Sequence, residues 1–346
     1  MQKRQKREEA CIVNMVDRFH YNTVLSQVFS PCGNFLAASN TYGDVAIYSL
    51  NNVTNPSDAT KSSNGIQHPL HHVQPLEGSD ICSLSSTPKF LIAGGIGEIR
   101  GQTWESVTGA KKEKPRFKIL VPAQRERSEQ TDVNALQYNS AEEQLCAGCG
   151  DNNIYIFNME NGKLVRTLSG HTGFIHSINL SDNQLVSASE DGTVRLWDMR
   201  QSAATNIIKP FENPKLNRPE LGKWVGAAAL SDDWLLLCGG GPRLSVWHLR
   251  SMEVTTVFPM KDLKGIHVAK FHEDRIFAGG AGPHFYQFSL NGQIYGQIPT
   301  SACTVFSAEL QETPQRVLSI AGSSPYIDIC TTFNYLDQKL SFALQS

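Results

Sequence analysis

The 346-residue chain is 40% hydrophobic and 18% charged, with 31 basic against 33 acidic residues and a net charge of -2. That is ample apolar material for a large core. It lacks the basic surplus that phosphate contacts require, so a globally basic nucleic-acid binder is excluded. No stretch approaches the ~20 apolar residues of a membrane span, and the charged start MQKRQKREEA has no apolar run of a secretory signal.

In residues 1–20, Ile12, Met15, Val16 and Phe19 recur at helical spacing, which predicts a short amphipathic helix outside the main fold. From residue 21 onward the chain repeats itself. Each copy has a short apolar run, a small-residue strand, a glycine-containing turn and an alternating strand with an aromatic. The copies begin near Val28, Ile81, Val133, Ile175, Trp224, Ile266 and Val305. Their turns centre near Gly43, Ile96, Asp151, Gly192, Gly241, Gly282 and Ser323, and three of the six intervals are 41 residues. A 40 to 45-residue period with four short strands per copy is the signature of a β-propeller. The expectation is an all-β, seven-bladed ring over residues 21–346. Each four-stranded sheet leaves an apolar face that only the next blade can cover, and closing the ring covers them all. The last copy is expected to supply its own outer strand over Lys339–Leu344.

The longer intervals predict exposed loops at about 51–75, 108–131 and 205–222. The first is rich in Asn, Ser, Pro and His; the second holds seven basic and three acidic residues, a net of +4. Eight irregularly spaced cysteines make no disulfide framework and fit a reducing compartment, cytosol or nucleus.

The copy from Ile175 to Asp198 carries Gly170-His171 before its inner strand, Ser187 in the second, Asp191-Gly192 at the turn and Trp197-Asp198 at the end of the third. This pattern resembles the WD-repeat propeller family. The resemblance implies that His171, Ser187, Asp191 and Trp197 form that family's hydrogen-bonded tetrad. Physical chemistry agrees, because a buried imidazole and indole each carry an N–H that needs an acceptor. The other six copies lack the full set, with Trp104 and Trp247-His248 as partial matches. Three stretches, Ser30–Leu50, Leu168–Arg200 and Gly222–Ser251, together resemble the WD-repeat subunits of the THO complex of the nuclear mRNA export machinery. The most specific run is Gly239-Gly240-Gly241-Pro242 leading into WHLRS. The resemblance extends from Phe19 to the end and is weakest over 51–131. It implies a non-enzymatic nuclear scaffold, found in speckles and able to shuttle. Its implied partners are other THO subunits, the fifth and seventh first. Through them it would reach the export helicase, the adaptor and, indirectly, RNA.

Several residue groups invite other chemistry. Cys146 and Cys149 fit C-x-x-C, but they lie three apart in a predicted strand and so face opposite ways, which favours structural cysteines. His68, His71 and His72 sit in the polar insertion, read as a loop with nothing to fix a metal geometry. The glycines of 94–101 and 239–241 match no phosphate-loop pattern and open no helix, so they are read as allowing close strand approach. The basic runs Lys3, Arg4, Lys6, Arg7 and Lys111, Lys112, Lys114, Arg116, Lys118 read as solvated segments, with auxiliary RNA contact as the minor alternative. Trp197-Asp198-Met199-Arg200 and Trp247-His248-Leu249-Arg250 repeat W-x-x-R. This resembles the motif by which substrate receptors of a cullin–RING ubiquitin ligase dock their adaptor, and it makes Arg200 and Arg250 candidate docking residues. The candidate partner-binding set is therefore Asp198, Arg200, Arg250, Ile12, Val16 and Phe19. No catalytic constellation, cofactor site or metal site is expected.

Overall fold

A computed structural model describes residues 21–54, 66–76, 78–109, 114–122, 130–239, 241–260 and 262–343. The expected amino-terminal helix, with Ile12, Val16 and Phe19, lies outside the described residues, as does the basic run Lys3–Arg7. The rest is the seven-bladed propeller. Each blade is an antiparallel sheet whose four strands follow in chain order from the axis outward. The innermost strands are Val24–Phe29, Ser83–Ser86, Val133–Asn139, Ile175–Ser181, Val225–Ser231, Ile266–His272 and Val305–Gln311. They run side by side around the axis, and the last packs against the first.

Sequence dictates this stacking through burial on both faces. Second strands such as Gln184–Ser189 are buried almost throughout, because each blade is covered on two sides. The buried apolar residues fall into seven clusters, one at each seam between neighbouring blades. Strand alternation assigns side chains to seams. Val194 and Leu196 fill the seam between the fourth and fifth blades, whereas Trp197 fills the one between the third and fourth. Cys149 and Cys146 divide in the same way between two seams.

The three insertions are not simple exposed loops. Each carries the outer strand of its blade: His71–Val73 in the first, Phe117–Leu120 in the second and Ala204–Ile208 in the fourth. Their polar, aperiodic sequences hid these strands, because an outermost strand buries little and shows no alternation. The outer strand Ala204–Ile208, for example, exposes three consecutive residues. The carboxy-terminal copy does supply its own outer strand, Gln338–Ser341, shorter than expected.

The first insertion also closes the ring. Ile66–Gln67 adds to the outside of Gln338–Ser341 as a fifth, parallel strand of the seventh blade. Gln67 Nε2 donates to Asn52 O (2.9 Å) and to Gln338 Oε1 (3.0 Å). The Tyr48 hydroxyl donates to Ser341 O at 2.9 Å. His68 and His72 hold the carbonyls of Ala343 and Phe342 at 2.8 Å, and His71 reaches Val107 O at 2.6 Å. The three histidines therefore fasten the first blade to its two neighbours, and the loop reading of that segment is corrected.

Candidate functional site

The polar network in the fourth blade is built from four separate segments. Trp197 Nε1–H donates to Ser187 Oγ at 2.9 Å, and Ser187 Oγ lies 2.7 Å from His171 Nε2. His171 Nδ1 lies 2.9 Å from Asp191 Oδ2. An indole can only donate, so the serine hydroxyl turns its own proton to Nε2, and Nδ1–H donates to the carboxylate. Asp191 also accepts from the backbone N–H of Thr172 (2.9 Å) and from the N–H and hydroxyl of Thr193 (both 2.7 Å). Burial works to raise the Asp191 pKa, but the donors from His171, Thr193 and Thr172 outweigh it and hold the carboxylate well below its usual range. Gly192, at φ +84°, makes the turn that brings Asp191 back over His171. Every donor finds an acceptor inside, so this network is internal framework rather than a surface for partners.

The other blades replace it piecemeal. Trp247 Nε1 donates to Ser245 Oγ at 2.9 Å, Trp104 Nε1 to Ser86 Oγ at 3.2 Å, and the Tyr155 hydroxyl to Asp151 Oδ2 at 2.6 Å. Gly241 and Gly239 serve close packing. A Cβ on Gly241 would lie 1.5 Å from Gly222 O, and one on Gly239 would lie 2.1 Å from Trp224 O.

Asp198, Arg200 and Arg250 occupy the lower rim, where innermost strands end. Arg200 donates to Asp198 through Nε (2.9 Å), its second fork nitrogen (2.7 Å) and its backbone N–H (3.0 Å). Those bonds from Arg200 bring the Asp198 pKa down to about 2. Arg250 lies 3.4 Å from Asp233. Both arginine side chains remain largely exposed, at 75% and 81%. Each is paired within its own rim, yet each presents a face to solvent.

The remaining candidates settle into structural positions. Lys118 pairs with Glu98, as does Arg100 at 2.7 Å, so part of the basic insertion is neutralised within the second blade. Lys111 and Lys112 lie outside the described residues. Burial pushes the Cys146 thiol up to about 12 and raises Cys149 well above its ordinary value, with Asp151 and Asp132 adding to the latter. Neither is a ready nucleophile. Among the described residues, His272, Glu273 and Glu312 bring potential ligand atoms within 4.8 Å of one another. Both Glu312 oxygens are already engaged, by Arg316 at 2.7 and 3.1 Å and by His272 at 2.7 Å. No described helix is long and apolar enough to cross a membrane.

Sequence reasoning missed the upper mouth of the axial channel, where the innermost strands begin. In six blades the register slips by one residue at this end of the innermost strand. The bulge leaves the second residue unpaired, and in five of these blades that residue (Leu25, Asn134, His176, His267 or Phe306) lines the channel. His176, His267 and Phe306 occupy that position in three blades, and Trp224 lies beside it in a fourth. Their rings form an arc: His176 to Trp224 at 5.9 Å, Trp224 stacked on His267 at 5.1 Å, His267 to Phe306 at 5.0 Å. The four residues are scattered over 131 positions of sequence, each in a different repeat. Comparing the same position in every copy is the signal that would have found His176, His267 and Phe306.

The WD domain, G-beta repeat family model matches residues 162–198, the stretch that holds the tetrad blade. The chain is 36% identical over 329 residues to the "THO complex subunit 6 homolog" of Danio rerio, covering 92% of this chain and 97% of that one. It is 35% identical over 337 residues to "THO complex subunit 6" of Homo sapiens, covering 96% of both. It is 36% identical over 321 residues to the Drosophila melanogaster protein of the same name, covering 92% of this chain and 89% of that one. Among solved structures, the WD40 β-propeller domain of Doa1 superposes with a TM-score of 0.68 at 15% identity, over 89% of this chain and 92% of that chain. At that identity the likeness speaks for the fold alone.

Proposed function

The chain belongs to the THO complex subunit 6 family, and we propose that it serves as a non-enzymatic scaffold subunit of a nuclear THO assembly that couples transcript processing to mRNA export. The observation that carries this reading is the extent of the likeness: 35–36% identity spread over 92–96% of the chain. A relationship confined to the tetrad repeat would support only the fold, whereas one spread over every blade includes the rims and edges that partners touch. The scaffold works by rigid display. Seven packed seams fix the blades, and the rims and outer strands offer patches to partners. The partners proposed are other THO subunits, the fifth and seventh first, and through them the export helicase and adaptor. A net charge of -2 favours reaching RNA through the complex rather than directly. The protein is placed in the nucleus, with speckle enrichment and shuttling as its expected distribution. Crosslinking mass spectrometry of the endogenously tagged protein in nuclear extract tests this. Crosslinks from the blades to THO subunits are expected, and a partner list without any THO subunit overturns the reading.

A second reading, a substrate receptor of a cullin–RING ubiquitin ligase, is favoured by one observation. Arg200 and Arg250 stand exposed on the same rim in adjacent blades. Pulldown with the Arg200→Ala, Arg250→Ala double variant separates the two. Loss of a ligase adaptor with retention of THO subunits supports this second role. Absence of the adaptor from the wild-type pulldown removes it.

A further inference from the structure

The lower rim holds a cleft of about 270 Å³ between blades four and five. Leu196 from the third strand of blade four, with Leu249 and Met252 from the outer turn of blade five, makes its apolar wall. Asp198 and Arg200 line the same cleft beside them. One cavity therefore joins an apolar surface to an exposed guanidinium. Met252 is costly where it stands. It has φ +54°, in the left-handed region that a bulky side chain rarely adopts. Blade three makes the same turn with glycine. There the N–H of Gly162 donates to Asn158 O at 2.9 Å, as that of Met252 donates to His248 O at 2.9 Å, and Gly162 has φ +68°. The turn asks for glycine, yet blade five supplies a methionine that is only partly buried against the seam. Its thioether is a flexible, polarisable surface of the kind that accommodates incoming side chains.

Arg200 is held open beside that wall. Its Nε and Nη2 both go to Asp198, which fixes the plane of the guanidinium, and its Nη1 makes no hydrogen bond among the described residues. Arg166, which donates to Met199 O, also acts on Asp198, so two guanidinium groups share one carboxylate here. Arg250, on the same turn as Met252, is balanced by Asp233 at 3.4 Å. On the blade-three turn Lys163 and Glu160 offset each other. Asp182, Asp232 and Glu253 are exposed on the surrounding elements, but none of them lines the cleft or pairs with Arg200 among the described residues. The charge at the cleft itself is therefore positive. We propose that this cleft docks a segment of a partner protein that carries a large apolar side chain with a carboxylate next to it. The apolar side chain enters against Leu196, Leu249 and Met252, and the carboxylate takes Nη1 of Arg200. A neutral segment would leave Nη1 unused, and a basic one would meet Arg200 with like charge. The inference goes beyond the scaffold reading and does not depend on which complex supplies the segment, so its failure would leave that reading untouched. Adaptor docking through Arg200 and Arg250 makes no use of Met252, and the two separate on Met252→Gly.

Methyl NMR of the full-length protein, labelled at its methionine methyl groups, tests it with the blocked dipeptide N-acetyl-Leu-Asp-amide as probe. Comparison probes replace Leu by Ala, Asp by Asn, or Asp by Lys. The Met252 signal, identified by its absence from Met252→Gly, is expected to shift saturably with the Leu-Asp probe. The comparison probes should bind about fivefold more weakly, the scale of one exposed ion pair or one small apolar contact. Arg200→Gln should bring the Leu-Asp and Leu-Asn probes to equal affinity. Met252→Gly should weaken binding, read by saturation transfer to the probe, without lowering the melting temperature, because glycine relieves the backbone. The proposal is overturned if the Met252 signal does not move, or if the Asn or Lys probe binds as tightly as the Leu-Asp probe. It is equally overturned if Arg200→Gln leaves the preference for aspartate intact. A Met252→Gly variant that melts lower and binds unchanged would assign Met252 to seam packing and overturn it as well.

Discussion

Truncating Trp197 to alanine tests whether the fourth blade is held as the geometry indicates. The side chain is 1% exposed and packs in the seam between blades three and four against Cys146, Ile178 and Leu185. Removing a buried tryptophan typically costs about 3–5 kcal/mol, through lost contacts and the cavity left behind. Unfolding entropy of ~2.1 cal/mol/K per residue gives about 0.7 kcal/mol/K for 346 residues. The melting temperature should therefore fall by roughly 4–7 °C. Trp197→Phe keeps most of the apolar contact but removes the donor to Ser187. It should cost about 1–2 kcal/mol, the scale of a lost buried hydrogen bond, or roughly 1–3 °C. Differential scanning calorimetry on both variants and the wild type, at one scan rate, measures the two steps separately. Equal losses would show that the donor to Ser187 carries the effect, whereas a Trp197→Phe melting temperature equal to wild type would show that packing alone is at stake. A Trp197→Ala melting temperature within 1 °C of wild type would refute the network and the seam it anchors.

Other outcomes follow from the same structure. The folded pKa of Asp191 is depressed, so its contribution to stability is present above the ordinary carboxylate value of ~3.9 and is lost as pH falls from there toward the lower folded value. Asp191→Asn should therefore lose stability at pH 7 and show a shallower fall than wild type between pH 4 and 2; urea midpoints across that range measure it. Tyr48→Phe removes the buried hydroxyl that ties the first blade to Ser341 O and should cost about 1–2 kcal/mol in urea unfolding. No measurable change there would mean that the ring closure rests on packing alone. Iodoacetamide under native conditions should label Cys32 and Cys303, which are exposed, and spare Cys146, Cys149 and Cys330. Slight burial raises the Cys32 pKa, but hydrogen bonding with Ser30 and Asn34 brings it below the ordinary value, so it should react first. Peptide mapping that finds Cys146 modified in the folded protein would contradict its place in the seam.

The sequence by itself determined the ring. Recurrent turns near 41-residue spacing announced sheets that could not bury both faces alone, and the structure places a hydrophobic cluster at each of the seven seams. The Gly170 to Asp198 pattern marked His171, Ser187, Asp191 and Trp197 as a set through its resemblance to WD repeats, and in the structure these four side chains are joined by hydrogen bonds. Outermost strands were illegible, since a strand with one edge and much of both faces in water carries no hydrophobic period. That is why His71–Val73 and Phe117–Leu120 read as loops. Only the tertiary structure decided that the insertion after the first blade reaches the last one, because parallel pairing of Ile66–Gln67 with residues more than 270 positions away leaves no local trace. The upper mouth depended on folding for the same reason. A single bulged residue per blade means nothing until the ring brings His176, His267 and Phe306 together with Trp224.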